Sequence, residues 1–381
     1  MKHDRLEHLD GIRGIAAFSV MMGHAKWPSA LGNLPFFTSP SLWVDFFFVL
    51  SGFVMARSYL ERMAGGMTVG KFMGRRFARI YPLHLLTLLA ALAYEVVKWG
   101  VFSSASIEAT RVPFENNNVY SFACTALLIH ALGVLPASYW NGPSWSISAE
   151  FFVYLAFAIC IAVARNRRAI FWTLLIGLQV LSFGILATFA ATKSVETDFG
   201  FFRCILGFGL GVIVEHFCRG REIPATSKKS WLNIVMAAVV LALVSIRVEG
   251  TPIPLFAPFL FALAVWLLVQ FRGGIVERVL NSRICQVLGV LSYSIYMTHA
   301  FFQGLLRNGW RVFSRHSVFQ SGPGALLLNE GLTVLFIGIV LVVSWFCYHR
   351  VELSAQRWLH AFFDRSRRVS PTPVIVPVPV V

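Results

Sequence analysis

The chain alternates long apolar runs with short polar breaks. Eleven runs approach the roughly 20 residues that cross a bilayer as a helix. They are Leu9–Trp27, Ser41–Leu60, Ile80–Phe102, Val119–Pro136, Pro143–Ala164, Ala169–Thr192, Phe199–Phe217, Trp231–Ile246, Pro254–Phe271, Cys285–Leu306 and Ala325–Tyr348. The pattern predicts an all-α integral membrane protein. Val119–Pro136 is the odd member, being short and carrying His130, Gly133 and a closing proline. Charge decides its role. With a cytoplasmic N-terminus and Val119–Pro136 dipping back, 23 Lys/Arg face the cytoplasm and 8 face outward, leaving Arg13 and Arg203 inside spans. If that segment crosses, the tally becomes 13 inside and 18 outside, against the positive-inside rule. The expectation is therefore about ten crossing helices, one re-entrant segment and both termini cytoplasmic. Residues 1–349 form one transmembrane domain. Residues 350–381 form a cytoplasmic, partly disordered tail that ends in SPTPVIVPVPVV.

Composition agrees: 57% of residues are hydrophobic and 13% charged. The net charge of +15 would suit a nucleic-acid partner if it formed a patch, but it is spread through short inter-span loops. The six cysteines are scattered without a CxxC pair, so neither a disulfide framework nor a zinc site is indicated. No HExxH, GxSxG, P-loop or dinucleotide-binding glycine pattern occurs in a plausible context, and no metal is expected.

The informative residues are the polar ones inside spans, which are costly there and mark pathways or sites. In the first span, LDGIRGIAAFSVMMGHAKW, Arg13 and His24 share one helix face ~16 Å apart along the axis. The plainer alternative is an arginine that snorkels and a histidine that bonds a neighbouring helix. Asp45, near the outer end of the second span, lies at about the depth His24 reaches. A carboxylate there could orient the imidazole and raise its basicity, or simply bond a loop amide. Ser51-Gly52 falls mid-membrane, where a small pair usually permits close packing. The stretch KFMGRRFARIYP places Arg75, Arg76 and Arg79 at the start of the next helix, where guanidiniums and helix dipole together suit phosphates. Ordinary positive-inside charge or contact with lipid headgroups would also explain them. Glu150 lies ~10 Å into the membrane and must be paired, neutral or wet, with Arg203 entering from the same side as a candidate partner. Ser292, Tyr296 and His299 share a face of the span LGVLSYSIYMTHAFF, with His299 near the depth of His24. Polar faces at similar depths on separate spans imply a shared interior site.

Five stretches occur in a familiar order: LDGIRGIAAFSVMMGHA, VDFFFVLSGF, RRFARIYP, PSWSISAEFFVY and LSYSIYMTHA. Together they resemble the membrane-bound acyltransferase family 3, bacterial O-acyltransferases of surface polysaccharides and some glycosides. The resemblance extends to about Tyr348. It implies a multi-pass inner-membrane enzyme taking an acyl group, usually acetyl, from acyl-CoA in the cytoplasm. The acceptor would be a hydroxyl of a carbohydrate or glycolipid. Arg13, His24 and Glu150 match positions regarded as essential, and Arg76 and Arg79 match the basic loop associated with the donor. On this implication Arg13, Arg75, Arg76 and Arg79 hold the acetyl-CoA phosphates. His24, oriented by Asp45, deprotonates the acceptor, and Glu150 positions it or steadies charge. Ser51, Arg203, Tyr296 and His299 contact the substrate. Membrane lipids are the other expected partners, with no role for nucleic acid. The competing class is a transporter or flippase of a lipid-linked glycan.

Overall fold

The computed structural model describes residues 6–25, 27–104, 112–189, 198–221, 226–248, 251–313 and 323–365. Among these residues there are helices and no strands. The helices are α1 (Glu7–Gly23), α2 (Leu42–Ala64), α3 (Val69–Ser104), α4 (Val119–Ala126), α5 (Trp145–Ala164), α6 (Arg168–Phe189), α7 (Gly200–Cys218), α8 (Trp231–Ser245), α9 (Ile253–Gln270), α10 (Ile275–Leu280), α11 (Arg283–Phe313), α12 (Pro323–Phe346) and α13 (Leu353–Arg365). Eight of them, α2, α3, α5, α6, α7, α9, α11 and α12, are long and apolar enough to cross a membrane. The other two expected crossings, α1 and α8, are helices of 17 and 15 residues.

Two helix pairs organise the bundle, α1 against α11 and α2 against α7. Both meet through glycine. A Cβ on Gly14 would lie 2.4 Å from the Gly289 nitrogen, and one on Gly52 would lie 1.8 Å from the Phe208 carbonyl oxygen. Backbones this close gain dispersion and leave no room for a side chain. Both pairs run parallel. Along α2 and α7, Asp45 meets Arg203, Gly52 meets Phe208, and the Ala56 carbonyl meets Arg219. Along α1 and α11, Arg13 meets Ser292 and His24 meets His299.

This direction bears on the doubtful segment. Three full-length helices, α3, α5 and α6, separate α2 from α7, so the two run parallel only if residues 119–136 return to the side they entered. The segment is built to do so. Asn118 caps α4 by accepting from the Ser121 amide at 2.9 Å, and eight residues rise only ~12 Å. Left-handed backbone at Leu128 (φ 59°) and Gly133 (φ 77°) then turns the chain, burying His130 and Ala131.

One expected boundary moves. The third span begins at Val69 rather than near Ile80 and runs 36 residues with Pro82 inside. Gly65 and Gly66 (φ 101°) stop α2, and the Thr68 hydroxyl accepts from the Lys71 amide at 3.3 Å to start α3. Arg75, Arg76 and Arg79 therefore lie beyond the first turn of the helix. The dipole contribution expected for them is lost, because it fades beyond the first turn.

Gly52→Ala should cost about 2 kcal/mol or more by overpacking and lower the thermal unfolding midpoint in detergent. Gly177→Ala, which places a methyl where nothing lies within 4 Å, should not lower it.

Candidate active site

Polar residues from five helices line one cavity of about 310 Å³, within the size range of small-ligand pockets. Arg13 comes from α1, Ser51 from α2, Arg76 and Arg79 from α3, Ser146, Glu150 and Tyr154 from α5, and Ser292, Tyr293 and Tyr296 from α11. Seven of the residues singled out in the sequence are thus brought together: Arg13, Ser51, Arg76, Arg79, Glu150, Ser292 and Tyr296.

The three guanidiniums are held differently. Arg13 donates through Nε to the Ser292 hydroxyl and through Nη2 to the Gly289 carbonyl, both at 2.9 Å, with Asp10 at 3.3 Å. It is anchored in protein rather than snorkelling. Arg79 pairs with the carboxylate of Glu352, its guanidinium 5.3 Å from the centre of the Tyr293 ring. Arg76 has no carboxylate partner among the described residues. Its Nη2 donates to the Tyr59 hydroxyl at 2.7 Å, its Nη1 lies 3.4 Å from the Met55 sulfur, and its buried Nε has no partner. Aromatic faces supply what compensation there is, with Tyr59 at 4.8 Å and Tyr154 at 5.9 Å.

Glu150 lies opposite. One carboxylate oxygen accepts from both the Ser51 hydroxyl, at 2.5 Å, and the Tyr154 hydroxyl. The second oxygen has no protein partner among the described residues. Ser51 is therefore more than a packing residue, although Gly52 beside it fills that role.

Neither expected pairing forms. Asp45 was a candidate to orient His24, and Arg203 a candidate partner for Glu150. Instead, Arg203 reaches both oxygens of Asp45, Nε to Oδ1 at 2.7 Å and Nη2 to Oδ2 at 2.8 Å. Nη2 also donates to the Ser41 carbonyl at 2.8 Å. Asp45 is fully buried, and neither residue lines the cavity. The parallel α2–α7 contact causes this. It places Asp45 and Arg203 on the same rung, whereas Glu150 on α5 meets α2 nearly two turns further along, at Ser51. Arg75 is also absent from the lining.

His24 closes α1. Its Nδ1 contacts the Val20 carbonyl at 2.8 Å, and a carbonyl can only accept, so Nδ1 carries the proton. His299 repeats the arrangement against the Ile295 carbonyl at 3.1 Å. Nε2 of each ring is left as the basic nitrogen. The rings lie 4.9 Å apart, and the Nε2 of His299 is buried without a partner. Backbone, rather than Asp45, sets the tautomer. Neither histidine lines the cavity. Tyr296, which does, lies 5.9 Å from His299 and bonds the Ser146 hydroxyl at 2.8 Å.

An acyltransferase-domain model, that of family 3, matches residues 6–349. The chain belongs to this family. The acyltransferase is 33% identical over 172 residues to a protein of the picA locus of Rhizobium radiobacter, covering 44% of this chain and 88% of that one. It is 33% identical over 181 residues to the acyltransferase MdmB of Streptomyces mycarofaciens, covering 44% of this chain and 43% of that one. BcsY of Komagataeibacter xylinus, whose name proposes a membrane-bound transacylase, is 25% identical over 373 residues, 92% of this chain and 82% of that one. No solved structure matches. Family membership makes this a multi-pass membrane enzyme that transfers acyl groups and sets aside the transporter.

Sequence reasoning missed Tyr59, Tyr154, Tyr293 and Glu352. Tyr154 was within reach, lying one turn beyond Glu150. Tyr293 stands beside Ser292 in a stretch already singled out. Glu352 follows the last apolar run, where no site was sought.

Asp45→Ala in the acyltransferase should cost about 3 kcal/mol by leaving the Arg203 charge buried alone, while Asp45→Leu with Arg203→Met should recover most of that. Thermal unfolding in detergent checks both. Asp45→Asn should leave the pH profile of turnover unshifted, which a residue orienting His24 would not do.

Proposed function

We propose that the acyltransferase moves an acyl group, acetyl in the simplest case, from acyl-CoA to a hydroxyl of an exported or cell-surface carbohydrate. The observation that carries this reading is Arg76. A guanidinium that lines a membrane-embedded cavity, lacks a carboxylate and keeps a buried Nε unpaired calls for an anionic ligand. The phosphates of coenzyme A meet that requirement, with Arg79 and Arg13 as further cations of the same cavity.

The thioester end lies toward Ser51, Glu150 and Tyr154, and the acceptor enters from the side of His24 and His299. Nε2 of His24 takes the hydroxyl proton as the oxygen attacks the thioester carbonyl. The tetrahedral intermediate collapses, the C–S bond breaks, and the departing thiolate recovers the proton from His24. Glu150 holds the acceptor through its open oxygen. Arg75, off the cavity, serves the surrounding lipid headgroups. The charge balance of the loops supports placement in a bacterial inner membrane with both termini cytoplasmic. The arginine-bearing half of α3 then faces the cytosolic donor.

The test is coenzyme A release from acetyl-CoA by protein in nanodiscs, with a crude polysaccharide or glycolipid extract as acceptor. His24→Ala should reduce extract-dependent release about 10²-fold or more, the usual contribution of a general base. Arg76→Ala should raise the KM for acetyl-CoA about tenfold, the loss of one charge-assisted contact. Wild-type protein that neither binds acetyl-CoA nor releases coenzyme A would overturn the reading.

A further inference from the structure

The last apolar span is not the end of the site. α12 continues through a wide helical turn, Cys347–Glu352, into α13, which packs against α3. Glu352, at that junction, lies outside the residues matched by the family. Its carboxylate is 1% exposed, yet it is engaged at both oxygens: Arg79 binds Oε2 and the Ser294 hydroxyl donates to Oε1. The bond to Ser294 ties it to α11 and the bond to Arg79 ties it to α3.

The pair is asymmetric. Asp45 and Arg203, which lie off the cavity, are both buried. Here the Arg79 side chain keeps 28% exposure and lines the cavity. Nη1 is committed to Glu352, and the Tyr293 ring lies against the guanidinium. Nε and Nη2 have no protein partner among the described residues. A guanidinium held at one corner with its other donors open presents a prepared fork to a phosphate. Arg76 and Arg79 are also i, i+3 neighbours on one helix face, where like charges repel. Glu352 offsets the charge of one and leaves that of the other for the ligand.

We propose that Glu352 is a positioning residue for the acyl donor. It fixes Arg79 so that its remaining donors meet a phosphate oxygen without loss of side-chain freedom on binding. The segment after residue 349 thereby belongs to the donor site. The inference rests on the acyl-CoA reading of the cavity.

The experiment measures the Kd for coenzyme A, and kcat and KM for acetyl-CoA and for acceptor extract, on full-length protein in nanodiscs. Glu352→Gln should weaken coenzyme A binding and raise the KM for acetyl-CoA about tenfold, with kcat and the acceptor KM within about twofold. Glu352→Asp should fall between. In an Arg79→Ala background, Glu352→Gln should add nothing, as expected when one residue acts through another. Ser294→Ala removes one bond and keeps both charges, so it serves if Glu352→Gln does not fold. It should raise the donor KM about two- to threefold. Coenzyme A binding that Arg79→Ala weakens and Glu352→Gln leaves intact would overturn the inference and spare the acyl-CoA reading. Equal losses for donor and acceptor would also overturn it, as the mark of a merely structural bridge. Wild-type protein that binds no coenzyme A would remove the reading itself.

Discussion

A charge inside a hydrocarbon layer must find its partner within the protein, because no water is there to accept it. How completely each buried charge is satisfied divides the polar residues of this acyltransferase into scaffold and site. Asp45 and Arg203 satisfy each other fully and lie off the cavity, joining α2 to α7. Arg13 is nearly as well provided for, yet it reaches the cavity edge. Arg79 is half provided for, and Arg76 has only neutral and aromatic contact partners. The shortfall is greatest at the cavity, as the proposed uptake of an anionic donor would require.

The apolar runs made the helices legible, since length and hydropathy alone report a span. Loop charge, which records sidedness independently of helix geometry, gave the expectation that Val119–Pro136 turns back, and the parallel course of α2 and α7 accords with it. The pairing of residues could not be read the same way. Asp45, Glu150, His24 and Arg203 lie at compatible depths, and depth alone allows several matchings. The choice was made by Gly52 against Phe208, a tertiary contact that fixes which rung of α7 faces which rung of α2. Depth along a helix is a sequence property. Azimuth between helices is a packing property.

The start of α3 failed for a different reason. The stretch KFMGRRFARI is too polar to register as a span, yet nothing in it stops a helix, and the Gly65-Gly66 break that does lies earlier. Glu352 was missed on the same principle. A charged segment after the last apolar run reads as tail, although packing against α3 and α11 buries Glu352 within it.

The parallel course of α1 and α11 has a consequence for how substrates are told apart. Arg13 and His24 are separated by a rigid stretch of helix, and each is matched on α11, at Ser292 and at His299. Two rods locked rung to rung cannot slide, so the interval from cation to imidazole is a constant of the molecule. On the acyl-CoA reading, a donor gripped by its anionic head at Arg13 would reach the imidazole with whichever atom lies that far along its arm. Selection on that reading would be by reach. Molecules that share a headgroup and differ in where the reactive carbon falls would be sorted by a caliper, with no pocket shaped to recognise them.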